Sequence, residues 1–235
     1  MKVVVVLPTY NEAENLPRMI ERLFSLGIDE LRVLVVDDNS PDGTGALADE
    51  LAEKHPTRVS VIHRQGKLGL GSAYVAGFKK ALEMGADYIV QMDTDFSHPT
   101  ERILDMLAAM KDYDVVVGSR YVAGGSVDKS WAVHRKLLSS EGNRYARLVT
   151  GLKVRDVTGG FKCFRRKVLE AIELDKVSSD GFAFQTEMAY ACQKKGFRVL
   201  EIPIIFMDRT HGASKMSFKI IWEAFWKVWQ IRGRY

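Results

Sequence analysis

Short β-branched runs alternate with helical patterns over the first half of the chain, and this alternation limits the folds open to it. Strands are predicted near Val3–Leu7, Arg32–Asp37, Val59–His63, Tyr88–Met92 and Asp114–Gly118. Helices are predicted between them at Leu16–Leu26, Thr44–Lys54, Leu70–Met84 and Thr100–Met110. Strands that alternate with helices in this way form a parallel sheet covered on both faces. We therefore expect an α/β fold with a mostly parallel central sheet and helices on both faces.

The second half of the chain is less regular. It contains, in order, a glycine-containing loop at Tyr121–Ser130, a helix near Val133–Thr150, a strand near Thr158–Phe164, a helix near Phe184–Lys195 and a strand near Arg198–Ile205. No internal repeat or linker rich in Pro, Gly and Ser separates the halves, so a single domain is expected. In open sheets of this kind ligands bind beyond the carboxyl ends of the strands, and the polar loops fall there.

Composition narrows the class of protein. The 235 residues are 46% hydrophobic and 27% charged, which suits a globular chain with one large core. A net charge of +4 favours an anionic ligand or surface, but the basic residues are dispersed, so nucleic acid is not expected as a partner. Cys163 and Cys192 lack C-x-x-C spacing, which indicates free thiols in a reducing cytoplasm. The run Val3–Leu7 is too short for a signal peptide or a membrane span.

Two carboxylates one residue apart, Asp93 and Asp95, follow the predicted strand Tyr88–Met92 directly. Alternate residues of an extended chain point to the same side, so both side chains can face one ligand. Two hard oxygen donors suit Mg²⁺ or Mn²⁺ carrying a diphosphate. An isolated Asp-x-Asp is also typical of a solvated turn, and the polar loops after neighbouring strands favour the metal site. His98 follows as a metal ligand or, more simply, as a cap before Pro99.

Loops after the first two strands are candidate nucleoside contacts. The segment Pro8–Glu12 carries an aromatic ring and a carboxylate that can stack on and hydrogen-bond a nucleobase, or else cap the next helix. The segment Asp37–Thr44 combines turn chemistry with an acidic pair suited to ribose hydroxyls.

A glycine-rich loop at Arg64–Ala73 invites comparison with phosphate-binding loops. It has the spacing of neither the P-loop nor the dinucleotide fingerprint. We interpret Gly69 and Gly71 as shaping the backbone, with Lys67 as a secondary phosphate ligand. The missing fingerprint also argues against a nicotinamide dehydrogenase.

Taken in chain order, the polar segments resemble the family-2 inverting glycosyltransferases with the GT-A (Rossmann-like) fold, and more narrowly the dolichol-phosphate (polyprenyl-phosphate) mannose synthases. The segments are Pro8–Glu12, Asp37–Thr44, Leu68–Gly71, Met92–His98, Gly118–Tyr121, Thr158–Phe161, Asp208-Arg209 and Gly212–Lys215. The resemblance departs at Ser97, where some relatives carry Gln, and in the lack of the transmembrane helices that many relatives append.

The resemblance implies transfer of mannose from GDP-mannose to dolichyl or polyprenyl phosphate, with inversion and dependence on Mg²⁺ or Mn²⁺. Nucleotide-sugar contacts would come from Pro8, Tyr10, Glu12, Val36, Asp38, Asp93, Thr94, Asp95, Arg209 and Lys215. Asp95, Arg209 and Lys215 would be catalytic, Asp93, Asp95 and Ser97 would hold the metal, and Arg120, Arg135 and Ser139 would bind the acceptor phosphate. Residues 1–216 would form the catalytic domain, 1–118 binding the nucleotide sugar and 119–216 the acceptor.

Two other functions stay open at this point. A related transferase with another donor, such as UDP-glucose, has the same motifs, and Glu187 would be its base if the acceptor were a sugar hydroxyl. A non-catalytic module that binds nucleotide sugars is disfavoured by the intact acidic pair.

The C-terminal segment 217–235 is predicted to be an amphipathic helix. Phe218, Ile221, Trp222, Phe225, Trp226 and Trp229 recur at helical spacing, opposite a polar stripe of Lys219, Glu223, Lys227, Gln230 and Arg234. Such a helix either packs on its own domain or lies at a membrane interface. The expected lipid acceptor favours peripheral contact with the cytoplasmic face of a membrane, and the resemblance to members without a span permits a membrane-embedded partner subunit.

Overall fold

The computed structural model describes residues 1–208 and 218–234, and in the second range it describes side chains from Trp226 onward. The strands are β1 (Val3–Thr9), β2 (Leu31–Asp37), β3 (Val59–His63), β4 (Tyr88–Gln91), β5 (Val115–Ser119), β6 (Ser126–Val127), β7 (Lys162–Arg165), β8 (Val199–Pro203) and β9 (Ile205–Phe206). The helices are α1 (Leu16–Phe24), α2 (Thr44–Lys54), α3 (Leu70–Glu83), α4 (Arg102–Ala109), α5 (Val133–Thr150), α6 (Arg166–Ala171), α7 (Gly181–Lys194) and α8 (Phe218–Arg234). A 3₁₀ turn at Leu174–Lys176 follows α6.

Seven strands form the central sheet, in the order β3-β2-β1-β4-β7-β5-β8. All neighbours are parallel except β7, which runs antiparallel between β4 and β5. The expected mostly parallel sheet is therefore confirmed, with a strand of the second half inserted at its centre. The short strands β6 and β9 pair with each other in parallel beside it.

Each face of the sheet supports its own core because strand side chains alternate. Val3, Val5 and Leu7 pack on the face covered by α1, α2 and α4. Val4 and Val6 pack on the face covered by α3, α6 and α7. Both faces of β1 are buried, as a central parallel strand requires.

Several predicted boundaries in the second half were wrong. The strand expected at Thr158–Phe164 is confined to β7, because Gly159 and Gly160 precede it as a turn whose carbonyl accepts a bond from the Lys162 ammonium. The strand expected at Arg198–Ile205 is divided between β8 and β9. The helix expected from Phe184 begins at Gly181, whose amide is capped by the Asp180 carboxylate at 2.8 Å.

From Trp226 onward, helix α8 packs on the domain through residues that the predicted stripe does not include. Val228 and Ile231 are its buried residues among those whose side chains are described, and Arg234 pairs with the buried Glu187. Of the predicted apolar stripe, Trp226 and Trp229 are 56% and 49% exposed, and the side chains of Phe218, Ile221, Trp222 and Phe225 lie outside the described part. No helix in the described ranges is both long and apolar enough to cross a membrane.

Candidate active site

Loops that follow β1, β2 and β4 meet at the carboxyl edge of the sheet. Asn11, Asn39 and Phe96, one in each loop, adopt φ angles of 62°, 56° and 61°. Residues other than glycine rarely adopt this region, and they do so mainly where surrounding contacts hold them at functional sites. In the described chain, the non-glycine residues with positive φ angles therefore lie at the edge where the sequence predicted a ligand site.

The first two loops are joined by side chains that accept from backbone amides. Ser40 Oγ accepts from the Asn11 amide at 3.1 Å, and Thr44 Oγ1 accepts from the Glu12 amide at 2.9 Å. The predicted nucleoside residues Pro8, Tyr10 and Glu12 are half-buried at this rim. These two bonds fix the backbone of the segment that carries the Tyr10 ring and the Glu12 carboxylate.

Asp38, predicted to contact the nucleoside, is buried in an ion pair with Arg64. Arg64 Nη1 lies 2.6 Å from Asp38 Oδ1, and Asp38 Oδ2 accepts from the Leu68 amide at 3.2 Å. Burial raises the pKa of Asp38 despite the opposing charge of Arg64. Sequence reasoning missed Arg64, although its place directly after β3 puts it at the same edge. The side chain of Val36 is fully buried beneath α3, so only its backbone is available to a nucleotide.

Gly69 and Gly71 allow the start of α3 to approach the segment before α7. A Cβ on Gly71 would lie 2.4 Å from the Ser179 carbonyl oxygen, and one on Gly69 would lie 2.1 Å from Asp180 Oδ2. The Asp180 carboxylate accepts from the Gly71 amide at 2.7 Å. The interpretation of these glycines as backbone-shaping is therefore confirmed. Lys67 lies 3.9 Å from the centre of the Tyr10 ring and so approaches the loop predicted to contact a nucleoside.

Asp93 and Asp95 share one buried neighbourhood after β4. Tyr74 donates to Asp93 Oδ1 at 2.7 Å, and the Ser97 amide donates to Asp95 Oδ1 at 3.1 Å. Burial first, and then the charges of both carboxylates, raise the pKa of Tyr74 well above its usual value. Tyr74 therefore stays protonated, and its hydroxyl orients the Asp93 carboxylate by donating a hydrogen bond to it.

A divalent cation fits the donor set at this position. Ser97 Oγ is buried and has no hydrogen-bond partner among the described residues, an arrangement that calls for an additional partner. With Asp93 and Asp95 it offers three hard oxygen ligands, and Mg²⁺ normally takes its remaining ligands from substrate phosphates and water. In the described ranges, no three or more His, Cys, Asp or Glu side chains are placed together to bind a metal.

His98 packs against the loop that carries Asp93 and Asp95. Its Nδ1 accepts from the Asp93 amide at 3.2 Å, which requires the neutral ring with its proton on Nε2. Burial lowers the pKa of His98 in agreement with that form. The ring stacks on Phe161 at 5.2 Å and meets the edge of Phe206 at 5.3 Å. These contacts match the simpler of the two interpretations, that His98 is structural.

A buried polar network behind the carboxylates was not predicted. Lys162, on β7, donates to Gln185 Oε1 at 2.6 Å, and Gln91 Nε2 donates to the same oxygen at 2.6 Å. A Cβ on Gly160 would lie 3.5 Å from Asp93 Oδ2, so the turn that Lys162 holds runs directly past the carboxylate. Burial lowers the pKa of Lys162 to about 8. Its only signal in the sequence is a lysine within an apolar strand pattern.

Two of the three predicted acceptor residues line one cavity of about 290 Å³ beside α5. Arg120 is held by Asp156 through two bonds of 2.8 and 2.7 Å, and Ser139 Oγ lies 2.8 Å from the Tyr121 hydroxyl. Burial opposes the charge of Arg120, but Asp156 outweighs it and raises the pKa of Arg120. Asp156 was missed because its role depends on a partner 36 residues away.

Arg135, the third, is not among the residues that line this cavity. Its guanidinium lies 3.7 Å from the centre of the Trp131 ring and 3.0 Å from Asp208 Oδ1. Arg209 and Lys215 lie outside the described residues. The amide of Met207 donates to the Ser97 carbonyl at 3.1 Å, so the described chain before Arg209 reaches the carboxylate loop.

Glu187 is fully buried and cannot act as a base in this arrangement. It accepts from the Ser179 amide at 2.9 Å and pairs with Arg234 of α8. It links α7, the segment before it and the C-terminal helix.

Comparison with known proteins agrees with this geometry. Residues 4–173 match the model of the family described as glycosyl transferase family 2. The chain is 47% identical to the polyprenol monophosphomannose synthase of Mycolicibacterium smegmatis, over 99% of this chain and 88% of that protein. It is 44% identical to the undecaprenyl-phosphate mannosyltransferase of Micrococcus luteus, over 100% of this chain and 96% of that protein.

Among solved structures, glucosyl-3-phosphoglycerate synthase from Mycobacterium tuberculosis in complex with Mn²⁺, uridine diphosphate and phosphoglyceric acid has a similar fold. Its TM-score is 0.69 at 15% identity, over 99% of this chain and 78% of that chain. At this identity the likeness concerns the fold alone, and it confirms the expected GT-A architecture. From its carboxyl-edge loops and these matches, the chain belongs to glycosyl transferase family 2.

Proposed function

We propose that the chain transfers mannose from GDP-mannose to a polyprenyl phosphate such as dolichyl phosphate, giving polyprenyl phosphate mannose and GDP with inversion at the anomeric carbon. The names of relatives at 47% and 44% identity support the sugar and the acceptor class. The observation that supports the proposal most is that the loop of Asp93 and Asp95 contacts both neighbouring regions. Thr94 Oγ1 donates to the Pro8 carbonyl at 3.1 Å, and the Phe206 ring contacts both His98 and Arg120.

The donor would lie across the carboxyl edge of the sheet. Tyr10, Glu12 and Asp38 would contact the nucleoside, whereas the side chain of Val36 is excluded by burial. Asp93, Asp95 and Ser97 would hold Mg²⁺ or Mn²⁺. Such an ion, when bound, supplies positive charge to the departing diphosphate. Arg209 and Lys215 are proposed to add further positive charge there.

The acceptor phosphate is an anion at neutral pH, so it needs orientation and no deprotonation. Arg120, Arg135 and Ser139 would provide that orientation. The bonds of Arg120 to Asp156 and Thr158 use Nε and Nη2, and we propose that Nη1 contacts the phosphate. Glu187, the base predicted for a hydroxyl acceptor, is buried and paired with Arg234, which supports a phosphate acceptor.

A polyprenyl acceptor places the protein at a membrane surface. Trp226 and Trp229 are each about half exposed on α8 and are typical of residues at a lipid interface. We propose peripheral contact with the cytoplasmic face of the membrane, directly or through a membrane-embedded partner subunit.

A donor-by-acceptor matrix tests the proposal. Purified protein is incubated with GDP-mannose, UDP-glucose or UDP-N-acetylglucosamine, each with a polyprenyl phosphate or a simple sugar alcohol, and each with Mn²⁺ or with chelator. We expect a lipid-linked product only from GDP-mannose, polyprenyl phosphate and Mn²⁺ together. Product from UDP-glucose alone would assign the related transferase, and transfer to the alcohol would refute the phosphate acceptor.

A further inference from the structure

A second cavity, of about 430 Å³, lies beside the proposed acceptor cavity between α5 and the segment that follows it. Its lining comprises Tyr121, Ser140, Asn143, Arg144, Arg147 and Arg155. Three of the six are arginines and none carries a carboxylate. Tyr121 and Ser140 also line the first cavity, so the two spaces are neighbours.

The three arginines differ from those of the proposed acceptor site in their pairing. Arg120 and Arg135 are matched by Asp156 and Asp208. Arg144, Arg147 and Arg155 form no ion pair with any described residue. Arg147 Nε is in addition buried without a hydrogen-bond partner in the described part of the chain. Like charges around one space and an unpaired buried donor both call for an anion.

The backbone of Arg155 is fixed opposite the helix that carries the other two. Its amide donates to Glu201 Oε2 at 2.7 Å, and its carbonyl accepts from Asn143 Nδ2. Arg144 and Arg147 are three residues apart on α5 and therefore lie on one helix face. The backbone positions that carry the three arginines are therefore fixed around one space before a ligand binds.

We propose that this cavity binds a phosphate group separate from the one that accepts the sugar. Guanidinium groups bind phosphate oxygens in pairs, and three of them suit a phosphomonoester or phosphodiester. The source is either the headgroup of an acidic phospholipid or a free phosphate. Leu137 and Leu148, on the same helix, are 58% and 73% exposed, which favours the lipid.

Arginine footprinting of the intact protein tests the site directly. Phenylglyoxal modification of each arginine is followed by peptide mass spectrometry in the presence of inorganic phosphate, monomeric dihexanoyl phosphatidylglycerol or phosphate-free dihexanoylglycerol. We expect phosphatidylglycerol to slow the modification of Arg147 and Arg155 at least tenfold. Arg102, whose described partner is Asp105 on α4, serves as the internal control and keeps its rate.

The three added compounds distinguish a lipid headgroup from a free phosphate as the source of the bound phosphate group. Protection by inorganic phosphate as strong as that by phosphatidylglycerol would assign a free phosphate, and stronger protection by phosphatidylglycerol would assign a lipid. Protection by neither phosphate compound, or equal protection by dihexanoylglycerol, would overturn the proposal. No sugar donor is present, so this result is independent of the mannosyl transfer proposed above.

A pair of matched variants gives a second reading. Arg147→Gln/Arg155→Gln should weaken binding of dihexanoyl phosphatidylglycerol at least tenfold in calorimetry. Lys54→Gln/Lys111→Gln removes the same charge from exposed positions and should leave the affinity unchanged. Equal loss in both variants would show an effect of net charge and would refute a defined site.

Discussion

Lys162 is a lysine with 1% of its surface exposed at the centre of a seven-stranded sheet. Such a residue is retained only where hydrogen bonds replace water, and Gln185 and the Gly159 carbonyl do so here. Because it fixes the turn beside Asp93, we interpret it as a residue that positions the carboxylate. Its charge is opposed by burial, which gives it a measurable pH dependence.

Replacement of Lys162 should change how stability depends on pH. Between its folded pKa of about 8 and its ordinary value of 10.5, the native state is neutral while the unfolded chain still binds the proton. The free energy of unfolding should therefore rise with pH in this window, by on the order of 3 kcal/mol for this group. Urea unfolding of the wild type and Lys162→Met from pH 7.5 to 10 should show their difference growing in favour of the wild type. A difference independent of pH would contradict the lowered pKa.

Asp95→Asn should separate metal-dependent transfer from folding. The amide keeps an oxygen that can accept from the Ser97 amide but loses the negative charge. We expect the rate of transfer to fall by about 10²–10³, as for other lost electrostatic groups in active sites, with an unchanged melting temperature. Asp105→Asn, at an exposed position on α4, is the control and should keep full activity. Wild-type activity in Asp95→Asn would remove this residue from the site.

At the scale of elements, the first half of the sheet could be read from the sequence and the insertion of β7 could not. Elements β1 to β5 and α1 to α4 each carry a complete local pattern of strand or helix periodicity. Strand β7 is four residues long with a cation at each end, and nothing local in it sets its direction or its neighbours. Helix α6 and the 3₁₀ turn are likewise too short to show periodicity.

The contrast between local patterns and long-range pairing also explains which site residues could be predicted from the sequence. Asp93, Asp95 and Ser97 lie within five residues of one another and could be proposed together, as could the segment from Pro8 to Glu12. Arg64, Asp156 and Gln185 take their roles from partners 26, 36 and 94 residues away. Such pairings depend on the sheet order and cannot be seen in one sequence.

The contact between α3 and the segment before α7 predicts a contrast between two glycines. Gly71→Ala places a Cβ 2.4 Å from a backbone oxygen and should lower the free energy of unfolding by about 1–3 kcal/mol. Gly142→Ala, in the middle of α5 with open space around it, should be neutral or stabilise by up to about 1 kcal/mol. Chemical denaturation measures both. Equal effects would mean that the close approach is absent.

Helix α8 should separate into a face that stabilises the fold and a face that contacts lipid. Ile231→Ala removes a fully buried side chain and should cost about 2–5 kcal/mol of stability. Trp226→Ser/Trp229→Ser should cost less stability than Ile231→Ala and lower binding to phosphatidylglycerol–phosphatidylcholine vesicles several-fold. Leu104→Ser, at an exposed apolar position on α4, is the control for vesicle binding. Unchanged sedimentation of the double tryptophan variant would refute the lipid-facing role.

At the scale of the whole molecule, three regions follow one another across the carboxyl edge of the sheet. The loops after β1 and β2 form the proposed nucleoside site, the loop after β4 carries the carboxylate pair, and α5 and its flanking segments line the two basic cavities. The Phe206 ring contacts both Trp131 and His98 and so joins the second region to the third. This order matches a reaction in which a nucleotide sugar and an anionic acceptor approach one centre from opposite sides.

Crystals of the protein grown with Mn²⁺ and GDP-mannose provide the most direct measurement of that centre, through the anomalous scattering of manganese. We expect one strong peak within direct coordination distance of the carboxylates of Asp93 and Asp95, with the diphosphate as a further ligand. A manganese peak and a diphosphate remote from these two side chains would contradict it.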